Sequence, residues 1–165
     1  MRVGLTFNMK KGDIEESSEP PGSPGREVEA EWDTPETIAA VQTALEERHE
    51  VIPIDAGGDA YNHLKQVRPD IVFNMAEGES GPYREGYIPS ILEHLKIPYT
   101  ASDPVTLNIC LDKARTKEIL AYYGLPTSRF RIVRDRSFSF NTLHYLLIVK
   151  PLHEGSSIGI RNNSL

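Results

Sequence analysis

The first hundred residues switch repeatedly between two hydrophobic periods. "RVGLTF", starting at Arg2, is a short apolar run that predicts a strand, and "EVIPI", "DIVFNM" and "IPYT" repeat the signature. Between these runs, "DTPETIAAVQTALEERH", "DAYNHLKQV" and "REGYIPSILEHL" place apolar residues three and four apart, so each predicts a helix. In the first helix Asp33 or Thr34 is the N-cap, Pro35 falls in the first turn, and Ile38, Val41 and Leu45 share one face. Pro89 belongs near the first turn of the third. This alternation predicts an α/β fold: a four-stranded, Rossmann-like parallel sheet with right-handed crossovers and helices on both faces. Ligands of such sheets sit beyond the carboxyl ends of the strands. The loop after "RVGLTF" and the segment "AEGESGPYREG" after "DIVFNM" both reach that edge.

The pattern changes near Asp103. "DPVTLNICLD" and "KARTKEILAYYGLP" read as consecutive helices, the second closed by Gly124 and stopped by Pro126. Three short runs follow without helices between them: "SRFRIV", "YLLIVK" and "SIGI" predict antiparallel strands. The expected organisation is a Rossmann-like domain over residues 1–102 and an α+β subdomain over residues 103–165. "NMKKGDIEESSEPPGSPGREVEAEW", rich in Gly, Pro, Ser and Glu, reads mostly as a mobile loop, either a lid or an insertion.

Composition narrows the classes. With 39% hydrophobic and 25% charged residues, the 165-residue chain has ordinary globular composition and length enough for one good core. A formal net charge of -6 argues against nucleic acid as a partner. A small anionic ligand stays compatible, because backbone amides and a few lysines bind it whatever the net charge. No run approaches a membrane span and no signal segment opens the sequence, so a cytoplasmic protein without a membrane partner is expected. The single cysteine, Cys110, excludes an intrachain disulfide and reads as a buried structural thiol. The five histidines show no metal-ligand spacing, and neither a nucleophile elbow nor a dinucleotide fingerprint occurs.

The chemistry concentrates in "VKPLHEGSSIGI", Val149 to Ile160. Gly155 and Gly159 permit close backbone approach and positive φ, which lets successive amides face phosphate oxygens. Ser156 and Ser157 add hydroxyl donors, and Lys150 is a charge inside an apolar strand. Separately these features describe a turn and an edge lysine. Side by side they also describe a phosphate cradle, and both readings stand.

The same stretch resembles the ATP-grasp motif of D-alanine–D-alanine ligases, a strand Lys-Pro followed by a Gly-Ser-Ser-x-Gly loop. "LDKARTKEILAYYGLPT", "LEHLKIPYTASDP" and "RVGLTF" resemble three further segments of that family, in its order. The resemblance implies a Rossmann-like domain followed by part of an ATP-grasp subdomain. It also implies an ATP-dependent carboxylate–amine ligase of peptidoglycan (cell-wall) type, using ATP and Mg2+ when full length. On it, Lys113 and Lys150 contact the nucleotide, and Glu154, Gly155, Ser156 and Ser157 fold over its phosphates. Ser156 also faces the substrate, and Glu31 holds the first amino acid's ammonium. The substrate implied is a small amino acid or carboxylic acid.

Two departures bear on function. The family's His-Gly and Glu-Asp-Gly are here Glu77-Gly78 and Arg84-Glu85-Gly86, which puts D-alanine in doubt as the substrate, although Glu77 also reads as a solvated loop residue. The family's remaining ATP-grasp residues, including its magnesium ligands, have no counterpart after "SIGI", so no metal ligand is expected here and these 165 residues are expected to be inactive alone. Two readings follow. In one the chain is the N-terminal part of a ligase and exposes apolar surface around "YLLIVKP". In the other it is a stand-alone nucleotide-binding or dimerisation module that buries that surface in a homodimer.

Overall fold

The computed structural model describes residues 1–10, 29–135, 137, 143–144, 146–160 and 164. The chain divides into two compact units, Met1–Asn108 and Ile109–Leu165.

The first unit is built on a parallel sheet. Strand β1, Arg2–Phe7, lies between β2, Glu50–Asp55, and β3, Ile71–Asn74. Leu5 faces Pro53 on one side and Phe73 on the other. Pro53 is tolerated because β2 is an edge strand of the sheet. Helix α1, Pro35–Glu46, follows the loop after β1, and α2, Ala60–Val67, connects β2 to β3. A 3-10 turn at Arg84–Gly86 leads into α3, Tyr87–Leu95, in which Pro89 is the third residue. Thr34 is the N-cap of α1, its hydroxyl accepting the N–H of Thr37.

Side chains alternate across the strands, so each sheet face has its own core. Leu5 and Phe7 pack with Ile38, Val41 and Leu45 of α1. On the other face Ile54 and Val72 pack with Leu64 of α2 and Ile88, Ile91, Leu92 and Leu95 of α3. Gly4 lies where a Cβ would come within 3.0 Å of Pro69 Cγ and 3.2 Å of Val72 Cγ2. A side chain there would force the second face apart.

The expected fourth strand, "IPYT", is reduced to one parallel bridge between Val72 and Tyr99. The cause is local: Pro98 has no N–H, so the ladder holds only the bonds from Val72 N to Pro98 O and from Thr100 N to Val72 O. Residues 11–28, most of the predicted loop, lie outside the described residues, but its two ends meet. Met9 bridges Asp33, and Lys10 N and Asp33 N donate to Asp33 O and Asn8 O.

In the second unit α5, Lys113–Tyr122, follows α4, Pro104–Leu111, whose last residues also belong to this unit. Gly124, at φ 69°, ends α5 in a Schellman motif, with Leu125 N bonded to Leu120 O and Gly124 N to Ala121 O. Cys110, expected to be buried, is exposed, since Leu111 is the buried residue of α4. The three predicted antiparallel strands do not form among the described residues. Without a ladder partner among the described residues, several of their apolar side chains stay in solvent, Leu146 95% and Val149 70% exposed, while Leu147, Ile158 and Ile160 are half-buried. Tyr145 and residues 161–163 and 165 lie outside the described residues.

Candidate functional site

The order β2-β1-β3 places a switch point at the carboxyl ends of β1 and β3, where the chain leaves the sheet in opposite directions. Asn8 follows β1 and is fully buried. Its Oδ1 accepts the N–H groups of both Glu77 and Gly78 at 3.0 Å, which fixes the loop after β3 against the end of β1. The Trp32 indole N–H donates to the Gly78 carbonyl at 3.4 Å, tying the far end of the first loop to the same place.

This clamp gathers charge. Glu31 ends a short 3-10 turn, Glu29–Glu31, and its Oε2 accepts from Arg84 Nη2 at 2.6 Å and from Arg84 Nε at 3.1 Å. Both side chains are buried, Glu31 4% and Arg84 7% exposed. Carboxylate oxygens of Glu31, Glu77 and Glu85 all lie within 4.8 Å of one another. Glu31 Oε1 and Asn8 Nδ2 are buried without a hydrogen-bond partner among the described residues. A cavity of about 400 Å³, lined by Gly58, Ser80, Pro82 and Tyr87, shares Gly78 and Arg84 with this cluster.

Burial, then the neighbouring carboxylates of Glu31 and Glu85, push the Glu77 carboxyl up to about 7, although Arg84 pulls the other way. The folded state therefore holds a proton that the unfolded chain, at an ordinary 4.5, releases. Stability from this group is present below about 4.5 and is lost as pH rises through about 7. Glu77→Gln is expected to match the wild type near pH 4.5 and exceed it in stability above pH 7. Urea unfolding at both pH values checks this; parallel curves for the two proteins would contradict it.

The second unit holds the other candidate residues. Asp112 caps α5, its Oδ1 accepting from Ala114 N and Arg115 N, while Oδ2 lies 3.2 Å from His153 Nε2. Lys113 N donates to Leu152 O, and Lys113 Nζ donates to the carbonyl of Glu154. The loop is thereby anchored to the start of α5. Ser156 and Ser157 have φ of 42° and 62°, and Gly159 has 71°. Left-handed backbone costs a non-glycine residue about 1–2 kcal/mol, so two successive serines there mark a loop held in shape by its surroundings. At Gly159 a Cβ would lie 2.8 Å from Pro151 Cγ, so this glycine lets the segment fold back on Pro151.

The structure therefore brings Lys113 together with Glu154 and the Gly155–Ser157 loop. It leaves Lys150 exposed, with no hydrogen bond or ion pair among the described residues. Exposed serine hydroxyls and amides following a lysine are a donor set that fits a phosphate group. Glu31 belongs to the other unit, in the carboxylate cluster. Sequence reasoning missed Asn8, Trp32 and the Asp112–His153 pair. Asn8 directly ends a strand at the ligand edge, a signal that could have found it.

An α/β protein with a Rossmann-like front, leading into a lysine-led Gly-Ser-Ser loop, defines a class: the ATP-grasp fold. The chain is 38% identical over 125 residues to a D-alanine–D-alanine ligase of Agrobacterium fabrum (strain C58), covering 73% of this chain and 39% of that protein. The corresponding ligase of Sinorhizobium medicae is 39% identical over 125 residues, with the same coverage. An uncharacterised Sinorhizobium fredii protein, y4sG, is 31% identical over 149 residues, covering 85% of this chain and 44% of its own. A crystal structure of the Bacillus anthracis D-alanine–D-alanine ligase superposes with a TM-score of 0.68 at 26% identity, covering 98% of this chain and 48% of that one. A second structure of that enzyme, complexed with ATP, gives 0.57 at 23% identity. No family model matches the chain. The chain belongs to the D-alanine–D-alanine ligase family and corresponds to its N-terminal portion. It spans about 40% of the length of the curated relatives it matches.

No helix among the described residues is long and apolar enough to cross a membrane.

Proposed function

We propose that the chain is the N-terminal part of an ATP-dependent carboxylate–amine ligase acting on a small amino acid or carboxylic acid. ATP with Mg2+ supplies the phosphoryl group that activates a carboxylate for attack by an amine. The observation that carries this reading is the loop after Lys150. Ser156 and Ser157 are exposed residues in left-handed backbone, in the loop that follows Lys150, a lysine that no protein group neutralises among the described residues. On this reading Lys150 and the Glu154–Ser157 loop bind nucleotide phosphates, where positioning and charge supply most of phosphoryl-transfer catalysis. Lys113 holds the loop through the Glu154 carbonyl, and Glu31 receives the substrate's amine on Oε1.

The exposed apolar side chains Leu146, Ile148 and Val149 support the ligase reading over a self-contained module, because a covering segment of the longer fold gives them a partner. The reading places the protein in the cytoplasm, in cell-wall precursor synthesis, and makes residues 1–165 inactive by themselves. Purified residues 1–165 with ATP, Mg2+ and a panel of D-amino acids are expected to release no phosphate above background. Amino-acid-dependent release would show that the reaction needs nothing beyond this part. A homodimer that buries Val149 would instead favour the stand-alone module.

A further inference from the structure

We propose that His153 is a positioning residue: through Asp112 it holds the Glu154–Ser157 loop against the start of α5, more firmly as imidazolium than as neutral imidazole. The inference rests on the reading of that loop as a phosphate site, and it adds the group that keeps the loop in shape.

The loop needs holding. Ser156 and Ser157 both occupy left-handed backbone, at φ of 42° and 62°, which disfavours this shape in a free chain. Two turn contacts close it internally, Ile158 N to Gly155 O at 2.9 Å and Ile160 N to Ser157 O at 3.0 Å. Three contacts tie its approach to α5. Lys113 N donates to Leu152 O at 3.2 Å, and Lys113 Nζ donates to the Glu154 carbonyl. His153 Nε2 lies 3.2 Å from Asp112 Oδ2. The third contact is made by an imidazole, the side chain whose charge ordinarily changes near neutral pH.

Asp112 is built to receive it. Its Oδ1 accepts the N–H groups of Ala114 and Arg115 at 2.9 and 3.0 Å, which leaves Oδ2 for the loop. Burial pushes the Asp112 carboxyl up, but the Arg115 N–H, the His153 ring and the Ala114 N–H outweigh it and hold the carboxyl below its ordinary value. Asp112 is therefore ionised throughout the neutral range. A neutral ring gives this carboxylate one hydrogen bond, whereas an imidazolium gives a hydrogen bond between opposite charges, the stronger kind. The other charged groups of the two elements, among the described residues, are Lys113 and Arg115 on α5 and Lys150 and Glu154 beside His153. Arg115 is paired with Glu118. Lys113 and the positive end of the α5 dipole oppose a cation at His153, and the bonded carboxylate of Asp112 outweighs them. A loop held for only part of the time binds its ligand more weakly in proportion, so the state of His153 reaches the affinity for phosphate.

Calorimetric titration of ATP into the 165-residue chain tests this, at about pH 5.5 and about pH 8.5, on either side of the range in which histidine changes charge. The variants are His153→Gln, Asp112→Asn and the two combined. Glutamine keeps a donor for Asp112 without a charge, and asparagine keeps the α5 cap without the carboxylate. His153→Gln is expected to bind ATP at least about threefold more weakly than the wild type at the lower pH, and within about 1.5-fold of it at the higher. In Asp112→Asn, adding His153→Gln is expected to change the affinity by less than about 1.5-fold at either pH. A merely structural histidine would weaken binding equally at both pH values. An imidazolium acting directly on phosphate would keep its effect in Asp112→Asn. Either result overturns the proposal, as does an unchanged affinity of His153→Gln at the lower pH.

Amide hydrogen exchange in the ATP-free chain at the lower pH separates this inference from the phosphate reading. Protection of the Lys113 and Ile158 amides is expected to fall at least about threefold in His153→Gln. That fall in a chain with no affinity for ATP would fell the phosphate reading alone. ATP binding, with protection and affinity both unchanged by His153→Gln, would fell this inference alone. If the variant does not fold, the wild type decides: its protection at these two amides, corrected for intrinsic exchange, falls at least about threefold as pH rises through neutrality, and constant protection overturns the proposal.

Discussion

Arg84→Ala is expected to lower the unfolding free energy by about 3–5 kcal/mol, the cost of removing one partner of a buried ion pair. The pair is closed on both sides, Arg84 7% and Glu31 4% exposed, with Nη2 at 2.6 Å from Oε2. Removing the guanidinium leaves Glu31 buried beside Glu77 and Glu85 with its nearest cation gone. The carboxylates then take up protons or water enters, and either costs the fold. Urea unfolding followed by the fluorescence of Trp32, the chain's single tryptophan, reports on this place directly. A loss below about 1 kcal/mol, typical of an exposed pair, would contradict the described burial.

Gly78→Ala is the second large effect, expected at about 2–4 kcal/mol from backbone strain and overpacking together. Gly78 has φ of 77°, and a Cβ there would sit 2.5 Å from the Arg84 carbonyl oxygen and 3.0 Å from its carbon. That neighbour is backbone, so the 3-10 turn Arg84–Gly86 has to move and takes the guanidinium away from Glu31. Gly81 is the internal control. It has φ of 90° but nothing within 4 Å of a built Cβ, so Gly81→Ala should cost only the backbone part, about 1 kcal/mol. Equal losses at the two positions would show that the contact with Arg84 plays no part.

Much of this fold was legible in the sequence where one local rule decided the outcome. Thr34 and Pro35 open α1 and Gly124 closes α5 because capping depends on a few neighbouring residues. Ile38, Val41 and Leu45 face the sheet because helical period alone places them together. Rules that need a distant partner failed. "IPYT" reads as a strand, yet Pro98 withholds the N–H that a longer ladder requires. "YLLIVK" and "SIGI" have strand composition, but a strand forms only beside another strand, and the described residues provide none. Cys110 was misjudged because α4 carries apolar residues on every side, which does not reveal which of its faces is covered.

The candidate site divides the same way. The Lys150 and Gly-Ser-Ser motif is contiguous and could be read directly. The pairing of Glu31 with Arg84 spans 53 residues, and nothing local announces it. The resemblance implies a histidine where this sequence has Glu77, so a departure there could be read from the sequence. Its consequence, a carboxyl pushed up to about 7 among other carboxylates, needed the fold that gathers them.

The central claim is that the loop after Lys150 holds nucleotide phosphates, and calorimetric titration of ATP into the 165-residue chain tests it most directly. The account predicts saturable binding that Lys150→Ala weakens at least about tenfold, the worth of one charge-assisted contact to a phosphate. Absence of ATP binding by the wild type, or binding that survives Lys150→Ala unchanged, would contradict it.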